Sequence, residues 1–415
     1  MPNLIQLKQS SLATLAGCQT FYARTGRIGG RLAVVLLFCV FTHLNLAQGA
    51  DGVVADTTLS ETNLIPEDMK LWTESMLWDE QFSVSSGVGY NNNVLLSAFN
   101  PRGSGFVING LELMVMRLPL DGWQVIGAIV GDDTRFWHDV GTSREDSFLG
   151  TITVQRELPD DWLVAWEERG LYEDEVLDVS LSSGAPTTAL VEGCGITGQP
   201  SLRHDLPYGF WLKLGVPFTR WYFDAPLDDY WEFGPAITAG YALGKRGDIT
   251  LSYGATYQIH DEWVALDAFD QLESQKLQIF QHQVELDWHQ YWDDGQHWRS
   301  STRLILADDE DNGGGWFNYY QYQFVQDLSW QTDNWEIKGS SQLTYQDYPV
   351  QTISPHASQT LYRNFLDLSL EIERRVFKGL KIFEKTEYQR AVSNESLSAG
   401  DYNGTTVSGG LRYEF

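Results

Sequence analysis

The chain has 415 residues, of which 43% are hydrophobic and 13% aromatic, and its formal net charge at pH 7 is −28. This acidity excludes binding of nucleic acid through the phosphate backbone, and the 16 Trp and 19 Tyr exclude a disordered acidic tail. A helical membrane protein needs roughly 20 consecutive apolar residues for each span, and one stretch, near the N-terminus, approaches that length.

The first 49 residues have the organisation of a secretory signal peptide. An apolar stretch at 32–41 is preceded by basic residues and followed by the small-residue site Ala47-Gln48-Gly49. The basic residues are Lys8, Arg24, Arg27 and Arg31. We therefore predict that residues 1–49 are removed after export, which leaves the mature chain still more acidic. A single membrane anchor is the alternative, but the apolar stretch is short for a span.

Residues 50–80 are predicted to be a periplasmic leader segment. Pro66 suits the first turn of a helix, and Ile65, Met69, Trp72 and Met76 recur at helical spacing. The pattern indicates a short amphipathic helix that either plugs the lumen or lies against the barrel mouth.

From residue 81 onward the hydrophobic period changes to two. In the segment 249–260, Ile249, Leu251 and Tyr253 alternate with polar or small residues, and the segment 366–373 repeats the pattern. Because successive side chains of a strand point to opposite faces, each such strand has one apolar and one polar face.

A soluble β-sandwich shows the same alternation, but three features favour a transmembrane antiparallel β-barrel over residues 81–415. The strands are about 10–15 residues long, the connections alternate between short and long, and aromatic residues lie near strand ends. The aromatic residues are Trp123, Trp162, Trp288, Trp330, Trp335 and Tyr413. We predict about 16 strands, or 14 if the pair around 216–231 is not formed.

The longest predicted connection runs from 170 to 205 and is the third external loop in this count. Its acidic residues Glu173, Asp174, Glu175 and Asp178 precede a less polar stretch at 185–191. This mixture suits a constriction loop that folds into the lumen, as the third loop does in general porins. An external lid is the alternative.

The polar faces of the predicted strands carry charges of both signs, which we assign to the lumen. The predicted pore-lining residues are Lys213, Glu285, Asp287, Arg299, Arg303, Lys338, Asp367, Glu371, Arg412 and Glu414. Facing charges of opposite sign set up a transverse field that can select permeating ions. The alternative is that these side chains only pair with one another and solvate the wall.

The last eleven residues give the most specific local signal. Val407, Gly409, Leu411, Tyr413 and Phe415 share one face of a strand that ends on Phe415. This resembles the closing strand of bacterial outer-membrane proteins. The resemblance implies an outer-membrane location and recognition of Leu411, Tyr413 and Phe415 by the barrel-assembly machinery.

A second, shorter resemblance concerns the predicted first loop. Gly89-Tyr90-Asn91-Asn92-Asn93-Val94 is similar to the Gly-Tyr-x-x-Asn-Val of barrels linked to export of polysaccharide or surface proteins.

Catalytic motifs are scarce in the sequence. It has no nucleophile elbow and no Walker loop, although His260-Asp261-Glu262 and Asp287-Trp288-His289 place histidines near carboxylates, as an outer-membrane hydrolase would need. The acidic run 308–312, followed by three glycines, is a candidate for oxygen ligands of a divalent cation. Most acidic loops are only solvated.

These observations favour a non-enzymatic, porin-like channel for small polar solutes with a preference for cations. The alternatives are a barrel for export or anchoring of surface polysaccharide or protein, and, in third place, a hydrolase. We expect no cofactor and no resident metal. The expected partners are outer-membrane lipid, lipopolysaccharide and the barrel-assembly machinery, and a homo-oligomer is compatible with the sequence.

Overall fold

The computed structural model describes residues 78–120, 122–138, 140–178, 188–224, 227–267, 271–353, 357–395 and 400–415. In this part of the chain, eighteen antiparallel strand segments form a single sheet. They are β1 (Trp78–Asn91), β2 (Ser104–Leu120), β3 (Trp123–Phe136), β4 (Arg144–Leu158), β5 (Trp162–Asp178), β6 (Thr188–Asp205), β7 (Phe210–Gly215), β8 (Phe218–Phe223), β9 (Tyr230–Phe233), β10 (Ala236–Ala242), β11 (Gly247–Leu266), β12 (Leu272–Tyr291), β13 (Trp298–Asp311), β14 (Tyr319–Gln331), β15 (Trp335–Thr352), β16 (Thr360–Phe377), β17 (Leu380–Ser393) and β18 (Tyr402–Glu414).

The sheet closes on itself into a barrel of sixteen strands. β1 pairs with β2 on one side and with β18 on the other. β7 and β8 both pair with β6, and β9 and β10 both pair with β11, so that each couple is one barrel strand interrupted by a proline. The predicted antiparallel barrel and its strand number are confirmed.

The strand number is right, but one part of the strand assignment was wrong. The count of sixteen from the sequence took 206–216 and 219–224 as two separate strands. They are β7 and β8, the two halves of a single barrel strand, since Pro217 does not reverse the chain. The missing strand is β6, which lies within the predicted loop 170–205. Glycines of β6 hide its strand pattern, and they are required because a Cβ at Gly195 would lie 2.6 Å from the Trp221 ring on β8.

The apolar faces of the strands form the outer surface of the barrel. Leu251, Leu368, Leu370 and Leu411 are all exposed, whereas their strand neighbours of opposite parity point to the interior. A closed sheet satisfies its backbone hydrogen bonds internally, and an apolar exterior is then stable in hydrocarbon. No helix in the described part of the chain is both long and apolar enough to cross a bilayer.

Aromatic residues mark both ends of the apolar surface. The six predicted girdle residues all lie at the end with the short connections; within that ring, Trp298 of β13 and Trp330 of β14 lie 6.0 Å apart. Toward the other end, the rings of Tyr322, Tyr345 and Tyr362 follow one another at 6.1 and 5.8 Å. Two aromatic girdles that flank an apolar band are typical of outer-membrane barrels, whose longer loops face the cell exterior.

The predicted signal peptide, 1–49, and the predicted helix after Pro66 lie outside the described residues. The leader assignment 50–80 needs one correction, because β1 begins at Trp78. Because β1 pairs with β2 from Trp78 onward, residues 78–80 belong to the barrel wall.

Candidate functional site: the barrel interior

The ten residues predicted to line the lumen all lie on the strand face opposite the exposed apolar residues. The register places several of them directly opposite one another: Asp287 faces Arg303 across β12 and β13, and Lys338 faces Glu371 across β15 and β16. Alternation along each strand therefore brings these charges to one interior wall. Their role in conduction stays a prediction.

The densest charge network of the interior is centred on Glu373 of β16. Its carboxylate, 1% exposed, accepts hydrogen bonds from Lys381 Nζ at 3.1 Å and from Arg412. Lys381 Nζ also lies 2.6 Å from Glu414 and 3.4 Å from Glu336, and Arg412 lies 3.5 Å from Glu371. Two of the three central residues, Lys381 and Glu373, were not in the predicted set, although their parity on β16 and β17 would have identified them.

A second network joins β12 and β13. Arg303 Nε donates to Asp287 Oδ1 at 2.8 Å and lies 3.2 Å from Glu285 Oε1. Lys338 Nζ, further around the wall, lies 2.9 Å from Glu336. These basic side chains are therefore neutralised by carboxylates of the same wall.

Some interior carboxylates have no such partner. Asp367 of β16 and Glu232 of β9 face inward, and neither forms an ion pair or hydrogen bond with another described residue. Lys213 is on the same wall but has no carboxylate partner among the described residues. Arg299 stacks on Tyr291 with its guanidinium 5.9 Å from the ring centroid.

The connection between β8 and β9 folds into the barrel, which the sequence analysis did not anticipate. Leu227 is buried in a cluster of inward-facing residues from five strands and lies among Leu149, Leu171, Val191, Trp221 and Tyr230. The Trp221 ring stacks on Phe223 at 5.7 Å. This cluster occupies one side of the lumen toward the end with the long connections.

Asp228 holds this connection against β11. Its carboxylate accepts the backbone N–H of Trp263 at 2.7 Å and that of Glu262 at 2.9 Å, and it lies 3.5 Å from His260 Nδ1. Burial opposes ionisation of Asp228, but hydrogen bonds from His260 and the two backbone donors outweigh it and lower the pKa of this carboxyl. The loop is therefore fixed by an ionised side chain at neutral pH.

The prediction that 170–205 is a loop was wrong, and with it the placement of its acidic residues. Glu173, Asp174 and Glu175 lie within β5, where Glu173 faces the interior and Asp174 the exterior. Asp174 accepts a hydrogen bond from Arg144 Nε at 3.1 Å, and Asp178 is the last residue of β5. The strand continues into this acidic segment because pairing with β4 and β6 satisfies its backbone, whatever its side chains.

The residues of the candidate cation site and of the histidine pairs contact neighbouring groups of the chain. Asp311 ends β13 and accepts the backbone N–H groups of Gly313, Gly315 and Phe317 at 2.7–3.0 Å. In the described ranges, no group of three or more His, Cys, Asp or Glu side chains is arranged to hold a metal ion. His260 stacks on Trp263 at 5.1 Å, and His289 Nδ1 lies 3.5 Å from Asp248 Oδ2.

The two short sequence motifs, one at the end of β1 and one at the end of β18, both contribute to closure of the barrel. Asn93 of the export-like motif donates to the backbone oxygens of Ser97 and Asn403, and thereby joins the first long connection to the last strand, β18. Phe415 N–H donates to the Phe82 carbonyl at 3.0 Å, and the Phe82 and Phe415 rings lie 4.9 Å apart. Recognition of the C-terminus by the assembly machinery stays a prediction.

A closed sixteen-strand barrel with an apolar exterior, two aromatic girdles and a charged interior defines a class of protein. The chain is a bacterial outer-membrane β-barrel with porin-like architecture. No protein-family model matches it, and no curated protein matches its sequence.

The chain is similar to several solved outer-membrane barrels. Similarity to an anion-selective porin from Comamonas acidovorans has a TM-score of 0.43 at 12% identity and covers 81% of this chain and 99% of that one. OccAB1 of Acinetobacter baumannii gives 0.42 at 7% identity, over 81% and 97% of the two chains. A bacterial polysaccharide outer membrane secretin gives 0.38 at 8% identity, over 81% and 98%.

Proposed function

We propose that this barrel is a diffusion channel for small polar solutes that favours cations. Sixteen strands spaced about 4.8 Å apart and tilted by about 40° enclose a cylinder roughly 30 Å across at the backbone. Interior side chains do not fill a cylinder of that width, so a water-filled path remains.

The observation that carries the cation preference is the unequal pairing of interior charges. Each of four interior basic side chains has at least one carboxylate oxygen within 3.6 Å. They are Arg303, Lys338, Lys381 and Arg412. The carboxylates of Asp367 and Glu232 have no such counter-charge among the described residues. Lys213, which also lacks a carboxylate partner among the described residues, offsets only one of these two carboxylates. The remaining negative charge attracts cations and repels anions.

The inward connection between β8 and β9 supports a narrowed lumen. Leu227 and Asp228 are both buried against the wall, so this segment takes space from the lumen on one side only. In this proposal it takes the constricting role that the sequence analysis gave to 170–205.

The experiment is the reversal potential of purified barrel in planar bilayers under a potassium chloride gradient. We expect Asp367→Asn and Glu232→Gln each to lower cation preference. The matched control is Glu384→Gln, which removes a carboxylate from the outward face of β17. Equal effects of the interior and exterior substitutions would contradict the proposal, as would a barrel that never conducts.

No specific observation favours the export alternative. The motif on which it rests places Asn93 in hydrogen bonds that join the first long connection to β18. A closing role of that kind explains the asparagines without any exported polymer.

A further inference from the structure

An open groove crosses the outward surface of β13–β17. It encloses about 700 Å³ and lies between two consecutive rows of cross-strand partners. The first row is Leu304–Phe324–Leu343–Leu366–Arg390, and each residue is directly opposite the next on the neighbouring strand. The second row runs beside it from Leu306 through Tyr322 and Tyr345 to Val392.

The groove rises from the middle of the apolar band to its outer edge. Leu304 lies six positions from the start of β13 at the short-connection end, whereas Arg390 lies three positions before the end of β17 at the long-connection end. Five strands spaced by about 4.8 Å give the first row a length of roughly 19 Å. The upper part of the groove passes the rings of Tyr322 and Tyr345, which belong to the outer girdle.

Arg390 is the polar end of this otherwise apolar row. Its side chain lines the groove and is exposed, and no carboxylate among the described residues pairs with it. Its nearest partners across the strands are Leu366 and Asn403, neither of which is charged. An arginine held at the level of lipid head groups, with no protein counter-charge, is a donor for an anionic oxygen.

We propose that this groove binds the phosphorylated lipid moiety of lipopolysaccharide, with a phosphate on Arg390 and an acyl chain along the Leu304–Leu366 row. The outward position places the occupant within the membrane, and the uncompensated charge of Arg390 favours a phosphorylated lipid. The rise toward the long-connection end selects the outer leaflet, which lipopolysaccharide occupies in this membrane. The binding does not depend on the channel function, because every residue of the two rows faces away from the lumen.

The test is native mass spectrometry of the full purified barrel in detergent, titrated with bis-phosphorylated lipid A. We expect Arg390→Gln to weaken lipid A binding roughly tenfold, the scale of one charge-assisted hydrogen bond, and Arg390→Lys to retain most of it. Arg374→Gln is the matched control, because Arg374 is an outward arginine of the adjacent strand at the opposite girdle, where it stacks on Trp335. Removal of the phosphates from lipid A should weaken binding to the wild type but not further weaken binding to Arg390→Gln.

A second variant tests the apolar part of the groove. Leu343→Trp fills the centre of the row and should lower lipid A binding while heat-modifiable mobility shows that the barrel is still folded. Wild-type binding by both Arg390→Gln and Leu343→Trp would overturn the proposal. Equal binding of phosphatidylglycerol and lipid A would overturn the assignment to lipopolysaccharide.

Discussion

Substitution of Glu373 by glutamine perturbs the centre of the interior charge network at one atom. The carboxylate is 1% exposed, and its two basic partners, Lys381 and Arg412, have side chains 12% and 15% exposed. Removing one partner from a buried ion pair commonly costs about 3–5 kcal/mol, because it leaves an uncompensated charge. Here Glu336, Glu371 and Glu414 still engage the two cations, so we expect a loss of about 2–3 kcal/mol.

The assay is equilibrium unfolding in urea, followed by the fluorescence of the 16 Trp residues. Glu384→Gln, on the outward face of the adjacent strand, is the control for loss of a carboxylate without loss of the network. A double-mutant cycle with Arg412→Met isolates the coupling between Glu373 and Arg412. If Glu373→Gln costs no more than Glu384→Gln, the network does not stabilise the barrel and the reasoning fails.

Three further tests, two by substitution and one by deletion, address other parts of the account. Leu368→Arg, on the lipid face, should cost about 2–4 kcal/mol near the bilayer midplane, whereas Ser369→Arg, on the lumen face, should be much milder; equal costs in urea unfolding would contradict the assigned faces. Asp228→Ala leaves two backbone donors unsatisfied and should free the connection that carries Leu227, with higher single-channel conductance. The pKa of Asp228 is lowered, so the ionised carboxylate stabilises the connection fully above a pH of about 4, and this stabilisation is lost only as the pH falls through the lowered pKa. Conductance should therefore rise only in strong acid. Deletion of Phe415 should slow insertion into the outer membrane. Normal levels of heat-modifiable barrel at the surface would contradict the role of Phe415 as an assembly signal.

The barrel could be predicted from the sequence because its two strongest determinants are local. Alternation of apolar and polar residues, as in 249–260, specifies which face of a strand meets lipid. Turns such as Thr332–Asn334 mark the short connections. The register then follows, since a shift by one residue would turn an entire apolar face into the lumen.

β6 could not be predicted because its side chains obscure its period. Gly193 and Gly195 leave space for the rings of Phe223 and Trp221 on β8, and this packing becomes apparent only when the two strands are paired. Pro217 and Pro235 indicate turns when considered alone. In the barrel each keeps its carbonyl in the ladder: Pro217 O accepts Gly234 N–H at 3.2 Å, and Pro235 O accepts Ala255 N–H at 3.0 Å.

The interior charges could be predicted from the sequence only in part. Parity alone assigns charges such as Arg303 and Asp367 to the inner face. Which of them pair depends on long-range register, as for Arg412, which lies beside Glu112 of β2 only because the barrel closes. The inward fold of Leu227 depends on Trp221 and Tyr230, which pairing of β8 and β9 brings together.

The central claim is that the lumen conducts and favours cations, and the most direct test is the reversal potential of wild-type barrel under a potassium chloride gradient. The account predicts discrete conductance steps and a reversal potential on the side of potassium, reduced when Asp367 is replaced by asparagine. A reversal potential on the side of chloride, or a folded barrel that never conducts, would contradict it.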